Sequence, residues 1–351
     1  MRILHVSECM SGGTATAVIG YAKGLDTQEH FLLANARRAH GGMIKIPQGI
    51  FSAIRELPTG HVEATMAVVK AAKEFSPDLI HAHSSFGGAY ARLATLVPGM
   101  PKVPIVYTPH GLSFSRGDIS TWKKLVFKGM ETLLAPLTDV FAGCSTNEST
   151  QLKALWPWGK HVCVPNAIPD EKKVSLKQWE SPSQRKIAVL GRISPARNPE
   201  LFASIAKLVQ ADPDLRDVTV AWIGDGPEEL RSKLIEAGVQ VTGWIDPAQV
   251  VEELGSLSVL VHTARWDGFP MAVLEARALG VPTIVSDIPA LFECPRDARF
   301  ASAEGAVSAI KKLLASPEAF DWSEVEGFYN QTTQIEKLKV AYGLHTTGDQ
   351  Q

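Results

Sequence analysis

The chain has 351 residues, 45% of them hydrophobic, and its 35 Lys and Arg against 37 Asp and Glu leave a net charge of −2. That length exceeds one ordinary core and predicts two domains, while no run approaches the ~20 apolar residues of a membrane-spanning helix. No basic stretch interleaved with aromatics recurs along the chain, which argues against nucleic acid as a partner.

The charge is unevenly divided. Residues 1–169 hold 16 Lys and Arg against 11 Asp and Glu, a balance of +5, and residues 170–351 hold 19 against 26, a balance of −7. A basic half suits an anionic partner, such as a membrane surface or a lipid-phosphate acceptor. The four cysteines, Cys9, Cys144, Cys163 and Cys294, have no CxxC spacing. A zinc site or redox dithiol is therefore not expected, and a reducing cytoplasm is.

In chain order, the opening MRILHVSE reads as a first buried strand rather than a secretory leader. Strands are predicted at Arg2–Ser7, His30–Asn35, Asp78–His83, Pro104–Thr108, Val140–Cys144 and His161–Pro165. Between them Val62–Phe75 has helical apolar spacing, Trp122–Lys128 reads as a surface helix mixing lysines with apolar residues, and Ala36–Gly60 reads as a long irregular connection. The polar stretch Asn166–Arg185 marks the boundary. Beyond it, strands are predicted at Lys186–Leu190, Val218–Ile223, Val239–Thr242, Ser258–His262 and Thr283–Ser286. They alternate with helices at Pro199–Gln210, Glu228–Ala237, Pro247–Gly255 and Met271–Leu279, and Phe328–Tyr342 reads as a last helix. Near-continuous Val/Ile strands alternating with helices, twice over, predict two doubly wound parallel α/β domains.

Ligands of such sheets bind beyond the carboxyl ends of the strands, and four groups fall there. Ser11-Gly12-Gly13-Thr14 follows the first strand and opens a helix, where free N–H groups suit phosphate; it lacks the GxGxxG of a dinucleotide fingerprint. Gly191-Arg192 and Arg197-Asn198 place two guanidinium groups at one strand end, suited to a diphosphate. Trp266-Asp267-Gly268-Phe269-Pro270 leads into a helix carrying Glu275. Pro270 fits the first helical position, and two carboxylates then stand at different distances along a ligand. Tyr107-Thr108-Pro109-His110-Gly111 ends a central strand, with His83 a weaker candidate of the same kind.

Together these pieces resemble the retaining GT-B glycosyltransferases of sequence family four. The resemblance covers nearly the whole chain and rests on the Gly pair, TPHG, VPNAI, GRISPARN, WIGDGPEELR and TARWDGFPMAVLEARALGVPTIVSD. HAHSSFGGAYARLA and YTPHGLSFS are similar to segments of transferases of bacterial polysaccharide assembly. The resemblance implies two Rossmann-like domains facing across a cleft: an acceptor-side domain at 1–168, a donor domain at 169–327, a helix at 328–343 returning to the first domain, and a disordered tail at 344–351. By position, Arg192 and Arg197 would hold the donor diphosphate, Glu275 the ribose hydroxyls, and Asp267 the transferred sugar. Gly191, Gly268, Phe269, Pro270, Met271 and Ala272 would line the donor, His110 would stand by its sugar, and Gly12 and Gly13 by phosphate and acceptor. Gly224, Gly226, Trp244 and Ile245 would lie near the base. The family has Lys where Arg197 stands and Glu where Asp267 stands.

The implied activity is front-face transfer of a sugar from a UDP- or GDP-sugar to a glycan or polyprenyl-linked acceptor with retention. No metal or other cofactor is expected, and the enzyme would be cytoplasmic, at the inner face of the membrane. The alternatives carried from the sequence are a nucleotide-sugar epimerase and a non-catalytic nucleotide-sugar-binding protein.

Overall fold

The computed structural model describes residues 1–35, 46–168 and 180–344. The first part of the predicted connection, most of the predicted linker and the tail at 345–351 lie outside the described residues. The chain divides into two compact units, Met1–Pro169 with Tyr329–Gln351, and Asp170–Phe328.

The first unit is a parallel sheet of β1 (Arg2–Ser7), β2 (Glu29–Ala34), β3 (Ala53–Glu56), β4 (Leu79–His83), β5 (Ile105–Thr108), β6 (Val140–Gly143) and β7 (Lys160–Cys163), in the order β3-β2-β1-β4-β5-β6-β7. Its helices are α1 (Gly12–Gly24), α2 (His61–Phe75), α3 (Ser85–Ala94), α4 (Thr121–Leu134) and α5 (Thr146–Leu155). The second unit is a parallel sheet of β8 (Lys186–Leu190), β9 (Thr219–Ile223), β10 (Gln240–Val241), β11 (Val259–His262), β12 (Thr283–Ser286) and β13 (Arg299–Phe300), in the order β10-β9-β8-β11-β12-β13. It carries α6 (Pro199–Ala211), α7 (Glu228–Glu236), α8 (Pro247–Gly255), α9 (Met271–Leu279), α10 (Ala303–Ala315) and α11 (Ser323–Phe328); α12 (Gln331–Tyr342) then belongs to the first unit. Strand order reverses beside β1 in one sheet and beside β8 in the other. Those crevices are where such folds take ligands.

Three expectations are corrected. The stretch predicted to be irregular through Gly60 contains edge strand β3, whose residues are mostly exposed, so no alternation of buried and polar positions marks it. The C-terminal helix predicted at Phe328–Tyr342 starts three residues later, at Gln331, because the Asn330 side chain caps α12 by accepting from Thr333 N–H at 2.9 Å. Pro270 is not the first helical residue: at ψ 123° it is extended and precedes α9.

The faces of the first sheet differ in chemistry. One is an apolar core of Leu4, Val6, Phe31, Phe75, Ile80 and Tyr107 with their neighbours. On that side α4 is tied down by a charge. The residue it buries is Glu131, which accepts from Arg92 Nη2 at 2.9 Å and from the Tyr107 hydroxyl at 2.8 Å. Arg92 is fully buried and stacks on the Tyr107 ring. A carboxylate there is tolerable because both its partners are buried with it.

The opposite face carries His5, His30, His81 and His83 among Ile3, Leu32 and Val106, all buried. Helices α1 and α12 cover it with Tyr21, Leu338 and Tyr342. The Tyr342 hydroxyl lies 2.6 Å from His81 Nδ1, and Gln334 Nε2 donates to the Pro165 carbonyl at 2.8 Å. Burial pushes His5, His81 and His83 well below the ordinary histidine value of 6.5, with the neighbouring histidines adding to the effect. Burial also lowers His30, although its bond to the Leu25 carbonyl opposes the shift.

Two predictions follow from this face. Leu338→Ala removes a fully buried side chain and is expected to cost about 3 kcal/mol, lowering the melting temperature of the first unit by roughly 6–12 °C; an unchanged thermal scan would contradict the docking of α12. The histidines stay neutral when folded but bind protons near 6.5 when unfolded. The unfolded chain therefore takes up more protons as pH falls below that value, and each such ring removes about 1.4 kcal/mol per pH unit from the stability. Urea midpoints should be flat from pH 8 to 7 and fall steadily between pH 6.5 and 5; a flat profile to pH 5 would contradict the burial.

Candidate functional site

The second sheet sends its carboxyl-end loops to one edge. Gly191, at φ 132°, turns the chain out of β8, and Trp222 Nε1 donates to its carbonyl at 2.7 Å. Gly224 and Gly226 have no room for a side chain. A Cβ on Gly224 would stand 2.3 Å from the Gly191 carbonyl oxygen, and one on Gly226 would stand 2.2 Å from that of Ile193. Ile193 N–H donates to the Asp225 carbonyl at 2.8 Å. These glycines thus let two loops lie backbone to backbone. The Gly224–Gly243 bridge and the bond from Gly224 N–H to Thr242 Oγ1 (3.0 Å) bring the segment leading to Trp244 and Ile245 to the same place. Trp244 is 52% exposed.

Arg197 ends a 3-10 turn, Pro195–Arg197, before Asn198, which caps α6. Its carbonyl accepts from Thr263 Oγ1 at 2.6 Å, and Arg265 N–H donates to the Ala196 carbonyl at 2.8 Å. The loop after β8 is thereby stitched to the loop after β11. Arg197 Nη1 forms an ion pair with Asp267 Oδ2 and donates to His262 Nε2 at 3.3 Å. His262 is buried, and its burial lowers its affinity for a proton. The other Asp267 oxygen accepts from Gly268 N–H at 2.8 Å. Burial alone would raise the Asp267 carboxyl, but the Arg197 guanidinium and the His262 ring outweigh it and hold the group well below the usual carboxylate range. It is ionised at any working pH.

The sequence reading assigned Arg197 to the diphosphate and Asp267 to the sugar, and the structure joins them. Among the described residues only Nη1 of the Arg197 guanidinium is engaged, and a guanidinium has further N–H donors. Arg192, two residues after Leu190 on the same loop, is exposed and makes no hydrogen bond or ion pair among the described residues. Phe269 is buried. Met271 and Ala272 open α9, where no preceding turn supplies carbonyls for their N–H groups. Glu275 lies in the next turn, partly buried beside buried Val273, Leu274 and Ala276.

In the first unit, Gly12 (φ 53°) and Gly13 open α1, both exposed. His110 follows β5 in the left-handed region at φ 52°. Gly111 N–H donates to the buried Glu148 carboxylate at 2.6 Å, and Cys144 N–H donates to its other oxygen at 2.8 Å. His110 Nε2 lies 3.1 Å from His83 Nδ1, and burial pushes His110 down to about 4. The sequence reading picked His110 and His83 but missed His5 and His30, which continue the same line of rings. The available signal was the two-residue spacing of His81 and His83, which puts both on one face of a buried strand.

Two family models match the chain in succession: Glycosyltransferase Family 4 over residues 11–172, and Glycosyl transferases group 1 over residues 184–316. A 41.2 kDa protein from the cps region of Klebsiella pneumoniae is 25% identical over 85% of this chain and 84% of its own length. The UDP-Gal:alpha-D-GlcNAc-diphosphoundecaprenol alpha-1,3-galactosyltransferase of Escherichia coli is 29% identical over 65% of this chain and 62% of its own length, less than two thirds. A GDP-mannose-dependent alpha-mannosyltransferase of Mycolicibacterium smegmatis is 26% identical over 72% of this chain and 67% of its own. Among solved structures, HepE from Anabaena in complex with UDP and glucose superposes with a TM-score of 0.75 at 16% identity, over 98% of this chain and 99% of that one. Two Rossmann-like parallel-sheet units, a transferase family model on each and relatives that transfer sugars lead to one conclusion: the chain belongs to the family 4 glycosyltransferases, enzymes of the GT-B fold.

Proposed function

We propose that the chain transfers a sugar from a nucleotide-sugar donor to a glycan or polyprenyl-linked acceptor, with retention of configuration, in polysaccharide or related glycoconjugate synthesis. The observation that carries this is the convergence at the carboxyl edge of the second sheet: the unpartnered Arg192, the half-engaged Arg197, the opening of α9 and two carboxylates of separate reach. The name of the Escherichia coli relative supports a polyprenyl-diphosphate-linked acceptor, and the two transferases together leave UDP and GDP both open as the donor nucleotide.

In this reading Arg192 and the remaining N–H groups of Arg197 bind the donor diphosphate. The Met271 and Ala272 N–H groups add the positive end of the helix. As the bond from the anomeric carbon to the diphosphate breaks, negative charge grows on the leaving phosphate, and these donors are already in place to receive it. The departing phosphate oxygen takes the acceptor's proton, so no separate general base is needed on the face where the acceptor enters. Glu275 accepts from the ribose hydroxyls, Asp267 accepts from the sugar, and His110 stands by the sugar, with Gly12 and Gly13 on the phosphate and acceptor side. Gly224, Gly226, Trp244 and Ile245 form the base region. Because guanidinium and amide groups carry the charge compensation, no resident metal or cofactor enters this reading.

We further propose that α4 rests on the inner membrane surface. Its inner side carries the buried Glu131 and the half-buried Phe127, while Trp122 (62%), Leu125 (66%) and Leu133 (79%) are exposed together with Lys123 and Lys128. Exposed apolar residues among lysines suit an anionic lipid interface, where each lysine contributes about 1 kcal/mol.

A thermal-shift screen over UDP-, GDP-, ADP- and dTDP-sugars identifies the donor, since a ligand at a hundredfold excess over Kd stabilises the fold by ~2.7 kcal/mol. With that donor, Arg192→Ala should keep the wild-type melting temperature and lose at least about a hundredfold in kcat/KM; near-normal turnover would remove Arg192 from the site. Sedimentation with phosphatidylglycerol vesicles at low salt should retain the wild-type protein and release Trp122→Ala/Leu125→Ala. Equal sedimentation of both, or of neither, would rule out α4 as the membrane contact.

A further inference from the structure

The histidines of the first unit form a hydrogen-bonded line with one fixed end. His30 Nε2 lies 2.9 Å from the Leu25 carbonyl oxygen, His30 Nδ1 lies 3.0 Å from His5 Nε2, His5 Nδ1 lies 3.0 Å from His83 Nε2, and His83 Nδ1 lies 3.1 Å from His110 Nε2. A carbonyl oxygen only accepts, and this one already accepts from Gln28 N–H at 2.8 Å. His30 Nε2 must therefore carry its proton. A neutral imidazole has one N–H and one lone pair, so His30 Nδ1 is an acceptor and His5 Nε2 must donate to it. The same step repeats at His5 and at His83, and the line ends with His110 donating through Nε2. The direction of every bond is set at Leu25. Burial keeps each ring neutral, as the argument requires.

His81 stands beside the line, 4.0 Å from His83 between ring centroids, and outside it. Its nitrogens face the Tyr342 hydroxyl at 2.6 Å and Thr108 Oγ1 at 2.9 Å. Other titratable groups around these rings are Tyr21, stacked on His81 and His110, Glu148, which binds the Gly111 and Cys144 N–H groups, and the N-terminal amine, whose charge also disfavours a proton on His30. Nitrogens of His5, His81 and His83 all lie within 4.8 Å of one another, a spacing that would admit a metal ion. All six of these ring nitrogens are engaged in the bonds just given, and an ion would have to break them.

We propose that His5, His30 and His83 are positioning residues whose hydrogen-bonded line, anchored on the Leu25 carbonyl, fixes His110 as the Nε2–H tautomer with its Nδ1 lone pair presented to the donor sugar. The line has no exit for a proton at Leu25, so it sets polarity and does not conduct. The consequence concerns recognition. His110 accepts a hydrogen bond from a sugar hydroxyl and offers nothing to a carboxylate at that place, so neutral hexosyl donors are favoured over uronosyl donors. The role assigned to His110 rests on the transferase reading above, and the polarity of the line does not.

Long-range ¹H–¹⁵N correlation on ¹⁵N-histidine-labelled protein at pH 7.5 reads the tautomers without substrate. His30, His5, His83 and His110 should all show protonated Nε2. In His30→Phe, which removes the anchor, His110 should show a mixture with protonated Nδ1. A wild-type His110 protonated at Nδ1, an Nε2–H His110 unchanged in His30→Phe, or zinc co-purifying in stoichiometric amount would each overturn the proposal. Should His30→Phe fail to fold, His83→Phe and His83→Asn replace it. Asn can still accept from His110 Nε2, and only the Phe variant should release the tautomer.

The catalytic arm uses the donor selected by thermal shift. His83→Phe should lose about tenfold in kcat/KM, chiefly through a raised donor KM, with His83→Asn recovering most of it. Equal loss in both would make His83 merely structural and overturn the positioning role. If the tautomers read as expected but no sugar is transferred by the wild type, it is the transferase reading that has failed.

Discussion

The ion pair of Arg197 with Asp267 holds the working edge of the second unit together. It joins the loop after β8 to the loop before α9, in parallel with the bonds from Thr263 Oγ1 to Arg197 and from Arg265 N–H to Ala196. Two loops from the two strands flanking the reversal in strand order thereby behave as one surface. The carboxylate is stabilised three ways, by the guanidinium, by the His262 ring and by the Gly268 N–H. A partly buried charge with that many partners is expensive to break and costs little to keep. It fixes where Arg197 aims the rest of its donors.

The first unit solves a similar problem with neutral rings. His110 sits in a left-handed backbone conformation, with the following Gly111 N–H held by Glu148 and its ring held by His83. Charge is used elsewhere in that unit. Glu131 reaches Arg92 and Tyr107 from the inner side of α4, beside the half-buried Phe127, whose ring meets Phe86 edge-on. Trp122, Leu125, Val126 and Leu133 of α4 are exposed, beside Lys123 and Lys128. The basic balance of the N-terminal half and the exposed face of this helix have a common location.

Much of the fold was legible because parallel strands buried on both faces read as apolar runs. Arg2–Ser7, Lys186–Leu190 and Thr283–Ser286 have the same bounds in sequence and structure. Strand β3 was not legible, because an exposed edge strand has no buried period to detect. The two-residue β13 offers too little pattern to be seen. Within the site, the sequence picked out Arg192, Arg197, Asp267, Glu275 and His110 by residue type and position at strand ends. It could not show that Arg197 and Asp267, seventy residues apart, are bonded to each other. His5 and His30 looked like members of apolar strands, and their role depends on the stacking of neighbouring strands in register, His5 beside His81 and Ser7 beside His83. Residue spacing within one strand does not contain that information.

Two positions at which this chain departs from the pattern it resembles form the ion pair. Arg stands in place of Lys at 197 and Asp in place of Glu at 267. The exchanges compensate. A guanidinium is broader than an ammonium and offers several N–H donors in a plane, whereas Asp is shorter than Glu by one methylene. An extended cation meeting a shortened acid keeps the pair in contact, and it also leaves Arg197 with free donors that a lysine paired through its single nitrogen would have to share. The shortened acid gives up reach toward the sugar in return. In the proposed reading this departure would move binding strength from the sugar end of the donor to the diphosphate end, where charge develops as the glycosidic bond to the nucleotide breaks and where each added donor acts on the transition state more than on the bound donor.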